Sequence, residues 1–177
     1  MHFRSKSILE NTIREVVFGL EDSLVSTMGA VTGIAAGTEN RAMVILSGLV
    51  ILAVEATSMG AGSYLSNKTA ELVETDGKEK RWVFLNSIKA GLIMLFFYVF
   101  GGVIPLMPYF FLTTRAAIPV SIFLTILALV GVGFWTGRVT KRSGWRAAVE
   151  MVVVSLGAAA IGYGIGLLAS WFFNIDI

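Results

Sequence analysis

The chain has 177 residues, of which 55% are hydrophobic and 15% are charged, and its mean hydropathy is +0.77. This composition predicts an integral membrane protein. There is no cysteine and only one histidine, His2, so disulfides and cysteine nucleophiles are excluded and a Ser-His-Asp triad or a histidine-ligated zinc site has no support. We therefore expect neither an enzyme nor a resident cofactor.

Five apolar runs are long enough to cross about 30 Å of hydrocarbon, which takes about 20 helical residues. None shows the alternation of a lipid-facing β-strand, and no cleavable signal precedes them. The sequence predicts one all-α domain over residues 1–177 with five transmembrane helices. The predicted helices are 16–37, 42–64, 83–104, 117–136 and 147–173.

The first predicted helix carries two adjacent acids, Glu21 and Asp22, in a run that is otherwise apolar or small. A charge at mid-bilayer costs about 2.5 kcal/mol or more, so such residues usually face a cavity, a partner charge or a transported ion. Glu21 lies about 100° around the helix from Asp22. It either takes part in a metal site with Asp22 or pairs with a basic residue such as Arg14 or Lys89.

The second predicted helix adds Glu55 and Met59, which are four residues apart and share one helix face. At a rise of 1.5 Å per residue, Asp22, Met59 and Glu55 lie about 9, 7 and 13 Å from the same membrane surface. A site of carboxylate oxygen and thioether sulfur favours a first-row transition metal over magnesium or calcium. The alternative for Met59 is simple packing in the helix core.

Small residues on three predicted helices indicate close helix packing. Those on the second helix are expected to face the acids of the first. Faces of this kind also form dimer seams, and spacing alone does not choose between the two. The glycines concerned are Gly29, Gly33, Gly60, Gly62, Gly157, Gly162 and Gly166.

The connection after the second helix is polar and is expected to continue that helix before a turn at Asp76-Gly77. Glu71 and Glu74 lie three residues apart on this extension. They could contact a metal ion on its way in, or they could solvate an exposed helix end.

Basic residues alternate between the connections. They are concentrated in the N-terminal tail and in the second and fourth connections, which places the N-terminus in the cytoplasm and the C-terminus outside. Because this pattern explains the basic segments, no nucleic-acid partner is expected. The residues concerned are Arg4, Lys6, Arg14, Lys68, Lys78, Lys80, Arg81, Arg138, Lys141, Arg142 and Arg146.

Four stretches resemble the vacuolar iron transporter family: REVVFGLEDSLVST at 14–27, SMGAGSYLS at 58–66, GGVIPLMPY at 101–109, and the glycine-rich fifth helix. The likeness covers nearly the whole chain. It implies a five-helix homodimer that exports ferrous or manganous ions from the cytosol in exchange for protons. By this resemblance Asp22 is the family's intramembrane aspartate and Met59 its methionine, on a path between two subunits.

Two features depart from the family pattern. The usual Asn-Asp-Gly is replaced by Glu-Asp-Ser at 21–23. Members with a full cytoplasmic metal-binding domain insert several Glu-rich helices after the second helix, whereas this chain has a short loop with Glu71, Glu74 and Glu79. Glu55 does not follow from the resemblance, so its role rests on its spacing from Met59.

The sequence thus predicts a homodimeric transporter of ferrous iron or manganese, with Asp22, Glu55 and Met59 as ligands. Its partners are lipid, divalent ions and protons. The short second connection favours the plasma membrane of a prokaryote, or a vacuolar-type membrane in a eukaryote. The alternative is a membrane scaffold or subunit that transports nothing and whose acids pair with a partner.

Overall fold

A computed structural model of the protein describes residues 2–74 and 80–173, and within these ranges the chain is almost entirely helical. Every predicted span lies inside one long helix, so the all-α class is confirmed. A short helix that the sequence did not predict begins at Pro108, the second proline of a Pro-x-x-Pro segment that starts at Pro105. The helices are α1 (His2–Thr38), α2 (Arg41–Glu74), α3 (Lys80–Leu106), α4 (Pro108–Phe111), α5 (Thr114–Val139) and α6 (Gly144–Phe173).

Among the described residues, four helices are long and apolar enough to cross a membrane. They comprise residues 41–73, 80–106, 114–139 and 144–172. Helix α1 is not one of them, because its apolar run is interrupted by Glu21 and Asp22. It instead packs against all four, and every residue from 19 to 38 is buried or half-buried. Helix α1 is therefore the centre of the bundle.

The two ends of the bundle differ in their contacts. At one end, Glu15 near the start of α1 contacts Asn67 near the end of α2. At the other end, the Arg115 guanidinium pairs with Glu39 at 2.9 Å, and Arg41 donates to the Tyr109 carbonyl at 2.8 Å. We name the first the Arg14 end, after the neighbour of Glu15, and the second the Arg41 end. The end of α2, the start of α3 and the connection between α5 and α6 lie at the Arg14 end, together with basic residues such as Lys68, Lys80 and Arg138.

The small residues of α1 and α6 pack against each other within the chain. A Cβ atom at Gly33 would lie 2.5 Å from the Gly162 carbonyl oxygen, and one at Gly37 would lie 2.9 Å from that of Gly166. Such contacts leave no room for a side chain, so the two backbones touch. At these points the two faces contact each other within the chain, and the same glycines border a cavity of about 610 Å³; a dimer seam stays a prediction.

The glycines of α2 do not face α1 as predicted. Gly60 packs on α3, where its Cβ position is 3.0 Å from the Gly91 carbonyl oxygen. Gly62 has no atom within 4 Å of its Cβ position and borders open space. The prediction of their place was wrong because spacing identifies a small-residue face but not the helix that covers it.

Replacement of Gly166 by alanine should destabilise the bundle. Its Cβ atom would overlap the carbonyl oxygen of Gly33, and a backbone cannot yield as a side chain can. We expect a loss of about 1–3 kcal/mol, measured as a lower unfolding temperature in detergent. Gly131→Ala on α5 is the control, since nothing lies within 4 Å of its Cβ position. Equal unfolding temperatures for the two variants would contradict the packing of α1 on α6.

Candidate functional site

Polar side chains from three helices meet near the middle of the bundle. The Glu55 carboxylate on α2 accepts hydrogen bonds from the Tyr98 hydroxyl of α3 at 2.7 Å and from the Ser26 hydroxyl of α1 at 3.0 Å. The two hydroxyl oxygens are 2.8 Å apart. Tyr98 is 1% exposed, whereas Ser26 and Glu55 are half-buried.

Asp22 lies one helical turn from Ser26 and is half-buried. Its carboxylate is within electrostatic range of Glu55 and is oriented towards the Tyr98 hydroxyl. We call Asp22, Ser26, Glu55 and Tyr98 the central cluster. Two carboxylates this close repel each other in a medium of low dielectric, and a bound cation or a proton relieves that repulsion. The structure thus brings two of the acids that the sequence singled out, Asp22 and Glu55, into one cluster around Ser26.

Met59 lies beside the central cluster. It is half-buried and packs against the buried group formed by Leu52, Ala56 and Tyr98. Its other side lines a cavity of about 590 Å³ at the Arg14 end, which we call the Arg14-end cavity. A thioether therefore stands between this cavity and the two carboxylates. The cavity is lined by Glu15, Met59, Gly62, Ser63, Asn67 and Met94, among others.

The central cluster and Met59 together offer metal ligands of mixed chemistry. Within residues 2–74 and 80–173, no three side chains of His, Cys, Asp or Glu come together to hold a metal ion. The available donors are two carboxylates, two hydroxyls and a thioether.

Two of the other predicted residues lie in unexpected surroundings. Arg14 binds Glu15 at 2.9 Å rather than Glu21, so the predicted pairing with Glu21 was wrong. Glu71 is 6% exposed and accepts a hydrogen bond from the Asn86 amide of α3, so it does not solvate an exposed helix end.

The remaining predicted residues lie outside the central cluster. Glu21 is half-buried on α1 beside Asp22, and Lys89 is exposed on α3. The described contacts of Lys89 include no ion pair with Glu21 or Glu55. The side chain of Glu74 and the turn at Asp76-Gly77 lie outside the described residues.

Sequence reasoning missed Tyr98 and Glu15. Glu15 is 2% exposed and lines the Arg14-end cavity. Its spacing of seven residues from Asp22 places both acids on one face of α1, and that signal was available. Nothing local marks Tyr98, because α3 is apolar all round and its rotation is set by packing.

The sequence profile of the VIT family, the vacuolar iron transporter family, matches residues 13–87 and 72–167. The chain belongs to this family. The two matches overlap at the α2–α3 connection, where longer members were expected to carry additional helices. Membership and the apolar helices make the chain an integral membrane protein.

Relatives resemble the chain over most of its length. It is 25% identical to "Vacuolar iron transporter 1" of Oryza sativa subsp. japonica, with 92% of this chain and 86% of the relative covered. "Vacuolar iron transporter homolog 5" of the same species is 33% identical, with 89% and 79% covered. The first alignment spans 220 positions, which exceeds the 177 residues here. That relative therefore has residues without a counterpart in this VIT family member.

The hydrogen bonds of Tyr98 should stabilise the central cluster. Tyr98→Phe removes the donor to Glu55 and leaves this half-buried carboxylate with Ser26 as its hydroxyl partner. We expect a loss of about 1–3 kcal/mol of unfolding free energy, visible as a lower unfolding temperature in detergent. Tyr163→Phe is the matched control, because Tyr163 is 43% exposed on α6. If Tyr98→Phe proves as stable as the control variant, the hydroxyl does not hold the carboxylate.

Proposed function

We propose that this VIT family member moves divalent transition-metal ions, ferrous iron first and manganese second, out of the cytosol. The observation that carries the proposal is the meeting of Asp22 and Glu55 inside an apolar helix bundle, with Met59 beside them. Carboxylates in hydrocarbon are costly and mark ion pathways. The relatives named vacuolar iron transporters support the same function.

The mixed donor set supports the choice of metal. Calcium and magnesium take oxygen ligands almost exclusively, and magnesium keeps most of its water. Ferrous and manganous ions accept carboxylate oxygen, and thioether sulfur favours softer transition metals. Asp22, Glu55 and Met59 are the proposed ligands, with Ser26 and Tyr98 holding Glu55 in place.

Proton exchange follows from the same carboxylates. A carboxylate that binds a metal ion must be deprotonated, so metal and protons compete for Asp22 and Glu55. Metal from the cytosolic side displaces protons, and protons from outside displace the metal, which drives a two-state exchange. Glu21, half-buried beside Asp22, is proposed to carry part of the proton traffic. A metal role for Glu71 and Glu74 stays a prediction.

For the topology we propose that α1 crosses the membrane as a fifth span, surrounded by the four apolar helices. The basic segments at the Arg14 end put that end, and the N-terminus, in the cytoplasm. We further propose a homodimer. The proposed location is the plasma membrane of a prokaryote, or a vacuolar-type membrane if the cell is eukaryotic.

Metal uptake into proteoliposomes tests the proposal. Asp22→Asn and Met59→Ala should each lower the initial rate of ferrous or manganous uptake, Asp22→Asn by about tenfold or more because a charged ligand is lost. Met43→Ala should match wild type, since Met43 is 54% exposed near the start of α2, away from the cluster. Folded wild-type protein without any flux would instead favour the scaffold alternative.

The proton coupling has its own test. With protein oriented so that the Arg14 end faces the external buffer, an acidic lumen should accelerate metal uptake, because protons leaving the lumen recycle the carboxylates. Nigericin should abolish this acceleration by collapsing the pH gradient. A rate that is the same with and without the gradient would contradict exchange and indicate a metal channel.

A further inference from the structure

A second polar cluster lies on the Arg14 side of the central cluster. The Glu15 carboxylate accepts hydrogen bonds from the Ser63 hydroxyl at 2.7 Å and from the Asn67 amide at 3.1 Å. Glu15, Ser63 and Asn67 are only 2%, 8% and 4% exposed. We call these three residues the Glu15 cluster. This carboxylate is thus buried among neutral hydrogen-bond donors, and a buried carboxylate is stabilised by a cation close by.

Arg14 supplies that cation. Its Nη2 atom is 2.9 Å from the Glu15 carboxylate and 3.4 Å from the Asn67 side-chain oxygen. One positively charged group therefore lies between oxygens of two helices, α1 and α2. Oxygen atoms that converge on a cation in this way also suit a metal ion.

The two partners of this ion pair differ in exposure. The Arg14 side chain is 60% exposed, whereas that of Glu15 is 3% exposed. The carboxylate is fixed in the protein, and the guanidinium can move into water. A buried carboxylate left without any cation is strongly destabilising, so Arg14 can leave Glu15 only when another cation takes its place.

The place that Arg14 would vacate borders the Arg14-end cavity. Arg14, Glu15, Ser63 and Asn67 line this cavity together with Met59 and Met94. An ion bound by Glu15 would thus share one cavity with Met59, which packs beside the central cluster. Oxygen ligands lie at the outer part of the cavity and thioethers at its inner part.

We propose that the Glu15 cluster is a first binding station for the divalent ion, and that Arg14 occupies it as a tethered cation until the metal replaces it. This inference rests on the proposed function. Arg14 keeps the buried carboxylate neutralised when no metal is bound. A divalent ion competes with the single charge of the guanidinium more strongly than a monovalent ion does. The displacement of Arg14 therefore also favours divalent ions.

The test compares the full-length protein and its variants in proteoliposomes, with Mn²⁺ as the probe. Arg14→Gln should lower the half-saturating Mn²⁺ concentration of uptake by about two- to fivefold, the range for an exposed ion pair. Arg14→Lys, which keeps the charge, should stay near wild type. Ser66→Ala is the matched control, since Ser66 lines the same cavity without a bond to Glu15.

A double variant distinguishes displacement of Arg14 from Glu15 from a general effect of the Arg14 charge on uptake. In a Glu15→Gln background, Arg14→Gln should no longer change the half-saturating concentration. If Glu15→Gln does not fold, Asn67→Ala takes its place and should reduce the effect. An unchanged or higher half-saturating concentration in Arg14→Gln would overturn the inference while leaving wild-type transport, and so the proposed function, intact.

Equilibrium binding separates the two proposals if wild type shows no flux. Bound Mn²⁺ loses the six-line electron paramagnetic resonance signal of the free ion, so its affinity is measured without transport. Tighter binding by Arg14→Gln that requires Glu15 would support the station even then. Equal affinity in wild type and Arg14→Gln would overturn it.

Discussion

The enclosure of α1 by four apolar helices is the constraint on which the other features depend. Charged side chains are stable in a bundle of this kind only where neighbours supply hydrogen bonds and exclude lipid. Glu55 receives such bonds from Tyr98 and Ser26. The close approach of α6 to α1, through Gly33 and Gly162, completes the enclosure. Glu21 and Asp22, which interrupt the apolar run of α1, are half-buried within this enclosure.

The two sides of α1 differ in chemistry. On the side of α2 and α3 lie the two carboxylates Glu15 and Asp22, about 10 Å apart along the helix at its rise per residue. On the side of α6, a cavity of about 610 Å³ is lined mainly by small and apolar residues such as Gly29, Gly33 and Gly162, together with Ser26 of the central cluster. The acids Glu15, Asp22 and Glu55 do not line this cavity.

The departure of this chain from the family's Asn-Asp-Gly pattern has a structural counterpart. Ser23 is fully buried, and its hydroxyl donates to the Leu20 carbonyl at 3.1 Å. This hydroxyl fills the space in front of Gly101 on α3, where a Cβ atom would collide with it. A glycine on α3 thus makes room for a serine on α1, and the bundle keeps its close packing at the level of Asp22.

Local physics determined much of this protein from sequence alone. Helix length, the class of the fold and the shared face of Glu55 and Met59 follow from hydropathy and from the regular geometry of the helix. The rotation of each helix does not, because helices that are apolar all round have no preferred face. Only the tertiary structure therefore shows that Tyr98 bonds Glu55, that Asn86 bonds Glu71 and that the glycines of α1 pack against those of α6.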